Sequence, residues 1–196
     1  MQVQIDGKRL ELCQGDVTLE AVDAIVNAAN SSLAGGGGVD GAIHRRGGRG
    51  IMAETDARYP EGCPTGSAVA TGAGTLAAKH IFHAVGPIWR GGDRNEPELL
   101  AGAYRRCLEL AVEHQCESIA FPSLSTGAYR YPIDQAARIA LSTAIDFIKT
   151  HDRPELVRFV LFDAAAYGAF AAVLDAIGPC PTSPRNSPSD RARRST

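Results

Sequence analysis

The sequence lacks several features that define large functional classes. No apolar run approaches the roughly 20 residues of a membrane-spanning helix. The N-terminus enters the strand-like Val3-Gln4-Ile5 instead of a basic segment followed by an apolar one, so no secretory signal peptide is visible. Together with 44% hydrophobic and 21% charged residues, these absences predict an ordinary globular chain located in the cytoplasm, with no membrane partner.

The cysteines and histidines lack the spacing of a disulfide framework or a metal site. The sequence contains no CxxC, and we expect reduced thiols at its five cysteines, which are Cys13, Cys63, Cys107, Cys116 and Cys180. His80 and His83 lie three residues apart on a predicted strand and would point to opposite faces, so they cannot share an ion. We expect His83 to be a packed core residue, and we predict no metal and no cofactor.

Acidic residues outnumber basic ones outside the C-terminus. From Gly178 onward, four arginines and one aspartate give a net charge of +3, so the remainder carries −5 of the total of −2. A body that acidic lacks the basic face that general nucleic-acid binding needs. Residues 179–196 are rich in Pro, Ser and Arg and have little to bury, which predicts a disordered tail after a single domain at residues 1–178.

Strand-like and helix-like stretches alternate along the chain. An Asp6-Gly7 turn predicts an opening hairpin, and residues 47–66 are expected to be irregular apart from a helix remnant. Further strands are predicted at 24–29, 68–71, 80–85, 118–121 and 157–162, and helices at 19–21, 40–46, 97–114, 132–148 and 164–177. This alternation predicts an α/β fold, a three-layer α/β/α sandwich with a mixed, partly parallel central sheet.

Two stretches of small residues directly follow predicted strands. Gly35 to Gly38 remove every side chain from four positions, so the backbone can adopt positive φ and bring N–H groups against a ligand. Asp40 follows near the start of a helix, where the capping preference and the helix dipole favour a carboxylate. Ser125-Thr126-Gly127-Ala128-Tyr129 supplies a second set of backbone donors. No Walker lysine follows either loop, which argues against nucleoside triphosphate hydrolysis.

Three motifs in this order resemble the macrodomain family of ADP-ribose-binding α/β modules. They are Gly15-Asp16-Val17-Thr18, the stretch from Val22 to His44, and Ser125 to Tyr129. The chain is most similar to the MacroD-type branch, whose members remove ADP-ribose from proteins. The resemblance covers the chain from about Leu10 to Ile177.

The resemblance implies roles for residues at the adenine and diphosphate. Asp16 would accept a hydrogen bond from the adenine amino group, and the Val17 N–H would contact the ring; without the resemblance, Asp16 is expected to cap a short helix. Phe162 would be either a core residue or the platform on which adenine stacks. The diphosphate would lie between two facing loops, formed by Gly36, Gly37, Gly38 and Val39 and by Ser125, Thr126, Gly127, Ala128 and Tyr129.

Other residues are implied at the distal ribose. Asn30 and Asp40 would approach it, although Asn30 could also cap a turn, and Tyr129 would form a wall. His44 lies one helical turn beyond Asp40 and is expected to support it, with an acid–base role of its own as the alternative; Asp40, Asn30 and His44 are thus the predicted catalytic residues. Asn27, buried within a strand, is expected to be structural and to need internal partners. Arg130 stands where the family commonly has glycine.

The activity that the resemblance implies is hydrolysis of the ester between C1″ of ADP-ribose and a protein Asp or Glu. O-acetyl-ADP-ribose is a plausible small substrate. Asp40 would orient or deprotonate the attacking water, with a substrate phosphate oxygen as the alternative base. The expected partners are ADP-ribose, mono-ADP-ribosylated proteins and O-acetyl-ADP-ribose, with nucleic acid only as an ADP-ribosylated substrate; we expect a monomer. A non-catalytic ADP-ribose reader and an ADP-ribose 1″-phosphate phosphatase are the alternatives.

Overall fold

The computed structural model describes residues 1–177, so the predicted disordered tail lies outside the described residues. The strands are β1 Gln2–Ile5, β2 Lys8–Gln14, β3 Ala24–Ala28, β4 Ala68–Gly72, β5 His80–Ala84, β6 Ser118–Phe121 and β7 Leu156–Leu161. The helices are α1 Gly38–Gly47, α2 Arg49–Arg58, α3 Glu96–Glu113, α4 Ile133–Thr150 and α5 Ala164–Ile177, with a short 3-10 helix at Val17–Leu19.

The strands form one seven-stranded sheet in the order β1-β2-β7-β6-β3-β5-β4. The pairings β2–β7, β7–β6, β6–β3 and β3–β5 are parallel, whereas the outermost pairings β1–β2 and β5–β4 are antiparallel. The predicted mixed, partly parallel sheet is therefore confirmed. Because the parallel strands run in one direction, their carboxyl ends meet at one edge, where α/β sheets bind ligands.

Alternating residues of β3 show how the layers are built. Ala24 and Val26 belong to the core cluster that includes buried residues of α3, α4 and α5. Ile25 belongs to the second cluster, with Ile43 of α1 and Ile51 of α2. Because successive strand residues point to opposite faces, α1 and α2 cover one face of the sheet and α3 to α5 the other. This arrangement confirms the three-layer sandwich.

Helix α2 was not expected, since the sequence predicted an irregular stretch with only a helix remnant. Only Ile51 and Thr55 of its ten residues are buried, so the apolar periodicity that signals a helix is almost absent. Glu54 and Arg58 form an i,i+4 ion pair at 2.6 Å on its surface. The helix is stabilised mainly by tertiary packing, which local periodicity does not reveal.

Smaller differences concern the ends of elements. The 3-10 helix spans Val17–Leu19 instead of residues 19–21, and β7 ends at Leu161, so that Phe162 lies just beyond the strand. The expectation that Asp40 caps α1 is wrong, because the N-cap residue is Gly37 and forms no side-chain cap. Asp40 lies in the first turn, and its carboxylate is engaged elsewhere.

No helix within residues 1–177 is long and apolar enough to cross a membrane. Among the same residues, no three His, Cys, Asp or Glu side chains are grouped so that they could hold a metal ion. Four cysteines are free thiols, and Cys180 lies outside the described residues. The ring of His80 lies 4.4 Å from that of His114, whereas His83 contacts Asn27 and Thr71, so the two strand histidines do point to opposite faces.

Candidate functional site

A cleft of about 270 Å³ opens at the carboxyl ends of β3, β5 and β6. It brings together the two loops that the sequence singled out. Its lining residues are Ala28, Ala29, Asn30, Gly36, Gly37, Gly38, Val39, Asp40, Ala84, Gly86, Ser123, Leu124, Ser125, Gly127, Ala128 and Tyr129. The cleft lies near the lower end of the roughly 300–1,000 Å³ typical of small-molecule pockets, so an extended ligand would also cover surface outside it.

The glycine-rich loop is shaped by its own hydrogen bonds. Asn30 Nδ2 donates to the carbonyl of Gly35 at 2.7 Å, and Asn30 Oδ1 accepts from Ser32 Oγ at 2.8 Å. Gly35 and Gly38 adopt positive φ of 76° and 57°, a region that side chains disfavour. Asn30 therefore braces the loop in addition to lining the cleft, which agrees with the alternative that it caps a turn.

The facing loop is held by its backbone. Arg130 N donates to Gly127 O at 2.9 Å, and Tyr131 N donates to Ser125 O at 3.0 Å. Within residues 1–177, the N–H groups of Gly127, Ala128 and Tyr129 donate to no other protein group. All three residues line the cleft.

Two side chains of this loop bear on its geometry. Arg130, which replaces the glycine common in the family, adopts φ of 57°, so the loop keeps the left-handed conformation that glycine would take without strain. The prediction that Thr126 contacts the ligand is wrong for the cleft, which Thr126 does not line; its hydroxyl donates to Ser123 Oγ at 2.8 Å. A β-carbon on Gly86, just after β5, would collide with Ser125 Oγ, so a larger residue there would force the Ser125 side chain to move.

Asp40 is a nearly buried carboxylate, 5% exposed, on the wall of the cleft. Its Oδ1 accepts a hydrogen bond from Asn27 Nδ2 at 2.6 Å and lies 3.3 Å from His44 Nε2. Its Oδ2 has no hydrogen-bond partner among the described residues and lies on the side of Gly36, where an added β-carbon would be 3.2 Å away. One oxygen is therefore held by the protein, and the other is buried without a protein partner.

Buried polar atoms without a partner are concentrated at this site. Five such side-chain atoms occur in the part of the chain that the structure describes: Asn27 Oδ1, Asp40 Oδ2, His44 Nδ1, Ser125 Oγ and Tyr131 Oη. Three belong to Asp40 and the two side chains that contact it, and Ser125 lines the same cleft. Because an unsatisfied buried polar group costs about 1–3 kcal/mol, their clustering indicates a site at which function outweighs stability.

The residues predicted at the adenine do not line the cleft. Asp16 Oδ1 accepts from Thr18 N at 2.9 Å and from Thr18 Oγ1 at 2.7 Å, so Asp16 does cap the 3-10 helix. Burial opposes its charge, but these bonds and the nearby Arg46 guanidinium hold the Asp16 pKa below its ordinary value. Val17 is buried, whereas Phe162 is 78% exposed directly after β7 and is therefore not a core residue.

Sequence reasoning missed the residues behind the carboxylate. Asn27, expected to be merely structural, donates to Asp40, and it contacts His83 as well. His44 lies outside the cleft lining, and it reaches the site only through Asp40. Gly86 and Ser123 were also missed, although the position of Gly86 directly after a predicted strand was a usable signal.

Fold and site together define an α/β ligand-binding domain whose cleft lies at the carboxyl edge of a mixed sheet. The family model described as Macro domain matches residues 26–140. The O-acetyl-ADP-ribose deacetylase of Salmonella newport is 52% identical over 175 residues, covering 88% of this chain and 98% of that protein. The chain belongs to the macrodomain family, and the predicted resemblance is confirmed.

Solved structures agree with this assignment. An Oceanobacillus iheyensis macrodomain with ADP superposes with a TM-score of 0.86 at 43% identity, covering 90% of this chain and 95% of that one. A Trypanosoma brucei macrodomain in complex with ADP-ribose has a TM-score of 0.78 at 38% identity, covering 84% of this chain and 68% of that one.

Proposed function

We propose that the chain binds ADP-ribose in the cleft and hydrolyses an ester at the distal ribose. Asp40 carries the proposal, because it is a nearly buried carboxylate that lines the cleft, with one oxygen held by Asn27 and the other without a protein partner. The substrates would be mono-ADP-ribose esterified to protein Asp or Glu side chains, and O-acetyl-ADP-ribose. The name of the Salmonella relative supports the second of these.

The diphosphate would lie between the two loops. Gly37, Gly38 and Val39 stand at the start of α1, where backbone N–H groups lack intrahelical acceptors and the helix dipole favours an anion. Gly127 and Ala128 offer further N–H groups from the opposite side of the cleft. This arrangement supports diphosphate binding through backbone dipoles, without a lysine.

The chemical step would use Asp40 Oδ2. A water adds its hydroxyl to the ester carbon, the bond between that carbon and the departing oxygen breaks, and the departing oxygen takes up a proton. Asp40 would position the water, accept its other proton and pass that proton to the departing oxygen, unless a substrate phosphate oxygen does so. Asn30 would hold the distal ribose through the part of its amide that the loop does not use, and Tyr129 would form a wall. His44 would act only by supporting Asp40.

The adenine would lie on the open surface beyond the cleft. Asp16 Oδ2 is not used by the cap on Thr18 and could accept the adenine amino hydrogen, with the Val17 N–H beside it. The exposed ring of Phe162 would provide the stacking platform. In this proposal the ligand extends from Phe162 to Asp40, and residues 1–178 form the functional domain, as a monomer.

Two substrates assayed in parallel test the proposal. The protein is incubated with glutamate-mono-ADP-ribosylated protein and, separately, with O-acetyl-ADP-ribose, and free ADP-ribose and acetate are quantified against a no-enzyme control. We expect release from both, and release of acetate alone would restrict the activity to deacetylation. No release from either, together with calorimetric binding of ADP-ribose, would leave a reader. A separate incubation with ADP-ribose 1″-phosphate tests for the phosphatase, which phosphate release would indicate.

A further inference from the structure

Three polar side chains from three neighbouring strands line up behind Asp40. Asn27 of β3 is directly paired with His83 of β5, and Thr71 of β4 is paired with Ile81, two residues before His83. Residues two apart on a strand share a face, so all three side chains point to the face that α1 covers. They are 0%, 1% and 1% exposed, and none lines the cleft.

Hydrogen bonds connect these side chains into a continuous chain. Asn27 Nδ2 lies 2.6 Å from Asp40 Oδ1 and 3.1 Å from His83 Nδ1, and His83 Nε2 lies 2.8 Å from Thr71 Oγ1. Thr71 Oγ1 in turn donates to the carbonyl of Gly72 at 3.1 Å. The chain therefore runs from the candidate catalytic carboxylate to the backbone of an edge strand.

The chemistry of the groups sets the direction of every bond. An ionised carboxylate only accepts, so the Asn27 atom that faces Asp40 is the amide nitrogen, and the same nitrogen faces His83 Nδ1. His83 Nδ1 must then accept, which places the ring proton on Nε2, where it donates to Thr71. Thr71 is fixed as an acceptor from His83 because its own proton goes to Gly72.

We infer that Asn27, His83 and Thr71 form a positioning relay that fixes the rotation of the Asp40 carboxylate and so the place of Oδ2, the oxygen without a protein partner. The inference rests on the proposed function, since it concerns the carboxylate proposed to position water. Asn27 holds one oxygen of Asp40 and thereby sets the rotation of the carboxylate, while His83 and Thr71 hold Asn27. None of the three touches the reacting atoms, so their contribution is to geometry alone.

Thr71→Val tests the far end of the relay. The substitution keeps the shape of a β-branched side chain, but it removes the acceptor of His83 Nε2–H. We expect kcat for ester hydrolysis to fall about three- to tenfold through a misplaced carboxylate, with ADP-ribose affinity within about twofold of wild type. Thr71→Ser keeps the hydroxyl and should restore kcat.

Thr55→Val is the matched control. Thr55 is also 1% exposed, and its hydroxyl also donates to a backbone carbonyl, that of Met52, but it accepts no bond from His83. Both valine variants should lower the melting temperature, Thr71→Val more because the buried His83 Nε2–H loses its acceptor, while only Thr71→Val lowers kcat. An equal kcat in the two variants, or a parallel loss of affinity in Thr71→Val, would overturn the relay.

The tautomer of His83 provides a readout that does not depend on activity. Nitrogen-15 NMR at neutral pH should show a protonated Nε2 and an unprotonated Nδ1 in wild type, with the Nε2–H signal perturbed in Thr71→Val and unchanged in Thr55→Val. Protonation at Nδ1 would overturn the inference even in an active enzyme. If wild type hydrolyses no ester yet shows the Nε2–H tautomer, the proposed function fails while the hydrogen-bonded chain stands.

Discussion

The two ends of the proposed ADP-ribose site differ in how far water can reach them. Asp40, at the distal ribose end, is 5% exposed and is held by Asn27 and His44. Phe162, at the adenine end, is 78% exposed, and Asp16 is half-buried beside the 3-10 helix. The fold thus encloses the end where a bond would be broken and leaves open the end that would only bind.

This difference has electrostatic consequences. A charge in a region that excludes water interacts more strongly with its neighbours than a charge at the surface, where solvent and salt screen it. Substitutions at the enclosed end should therefore change rates or remove binding altogether, whereas substitutions at the open end should cost modest affinity.

The largest effect is expected from Gly127→Glu, in the loop between the two ends. A β-carbon on Gly127 would meet no protein atom within 4 Å, so the side chain fits the fold, but it would enter the cleft and set a carboxylate against the diphosphate. We expect calorimetry to detect no binding of ADP-ribose, with a nearly unchanged melting temperature. Gly168→Glu, an equally open position on α5, should bind normally. Normal binding by Gly127→Glu would remove this loop from the site.

Asp40→Ala tests the enclosed end directly. We expect ester cleavage to slow by roughly a hundredfold or more, the scale for lost acid–base or positioning help, while ADP-ribose affinity changes far less. Asp40→Asn is the sharper variant, because its amide oxygen can still accept from Asn27 while the charge is gone. Single-turnover assays should find it similarly slow. Wild-type rates in both variants would show that the water is held by another group.

The fold was largely predictable because its elements carry strong local patterns. Buried runs such as Ala24–Ala28 and the Asp6-Gly7 turn specify strands and a hairpin through periodicity and turn chemistry. Helix α2 was missed because packing of Ile51 and Thr55, not amphipathic spacing, determines it. Both loops of the cleft were also predicted, because the two stretches of small residues directly follow predicted strands.

The network behind Asp40 could not be predicted in the same way. The contact between Asn27 and His83 joins residues 56 positions apart, and it depends on the register of β3 against β5. His83 on its own strand resembles any buried core residue. Only the pairing of the strands shows that its ring faces Asn27 and, through it, the carboxylate.

Lowering the pH should destabilise the fold, because His83 lies in the interior behind Asp40 and resists protonation there. Burial, with a smaller contribution from nearby His44, lowers the pKa of His83 to about 4, against the opposing charge of Glu54. Between about pH 6.5 and 4 the unfolded chain binds a proton that the folded chain excludes, so the free energy of unfolding falls as the pH falls. From pH 7 to pH 5 the loss should be about 2 kcal/mol for this group.

Urea unfolding at pH 5, 6 and 7 measures that slope. His83→Gln should flatten it, although the substitution also lowers stability at every pH. His80→Gln is the control, because partial burial lowers the pKa of His80 as well and should contribute a smaller part of the slope. A slope that His83→Gln leaves unchanged would mean that water reaches the interior behind Asp40, and the contrast between the two ends would weaken.

The smallest effect is expected at the open end, from Asp16→Asn. Asparagine keeps an oxygen that can accept from Thr18 and cap the 3-10 helix, but it replaces the other oxygen with a donor that cannot accept the adenine amino hydrogen. We expect about tenfold weaker ADP-ribose binding, near 1.4 kcal/mol, because the site is screened by solvent. Asp6→Asn, in the exposed hairpin turn far from the carboxyl edge, removes the same charge and should bind as wild type does. Unchanged affinity in Asp16→Asn would make Asp16 a cap only, whereas a loss as large as that of Gly127→Glu would show that the open end carries as much binding energy as the enclosed one.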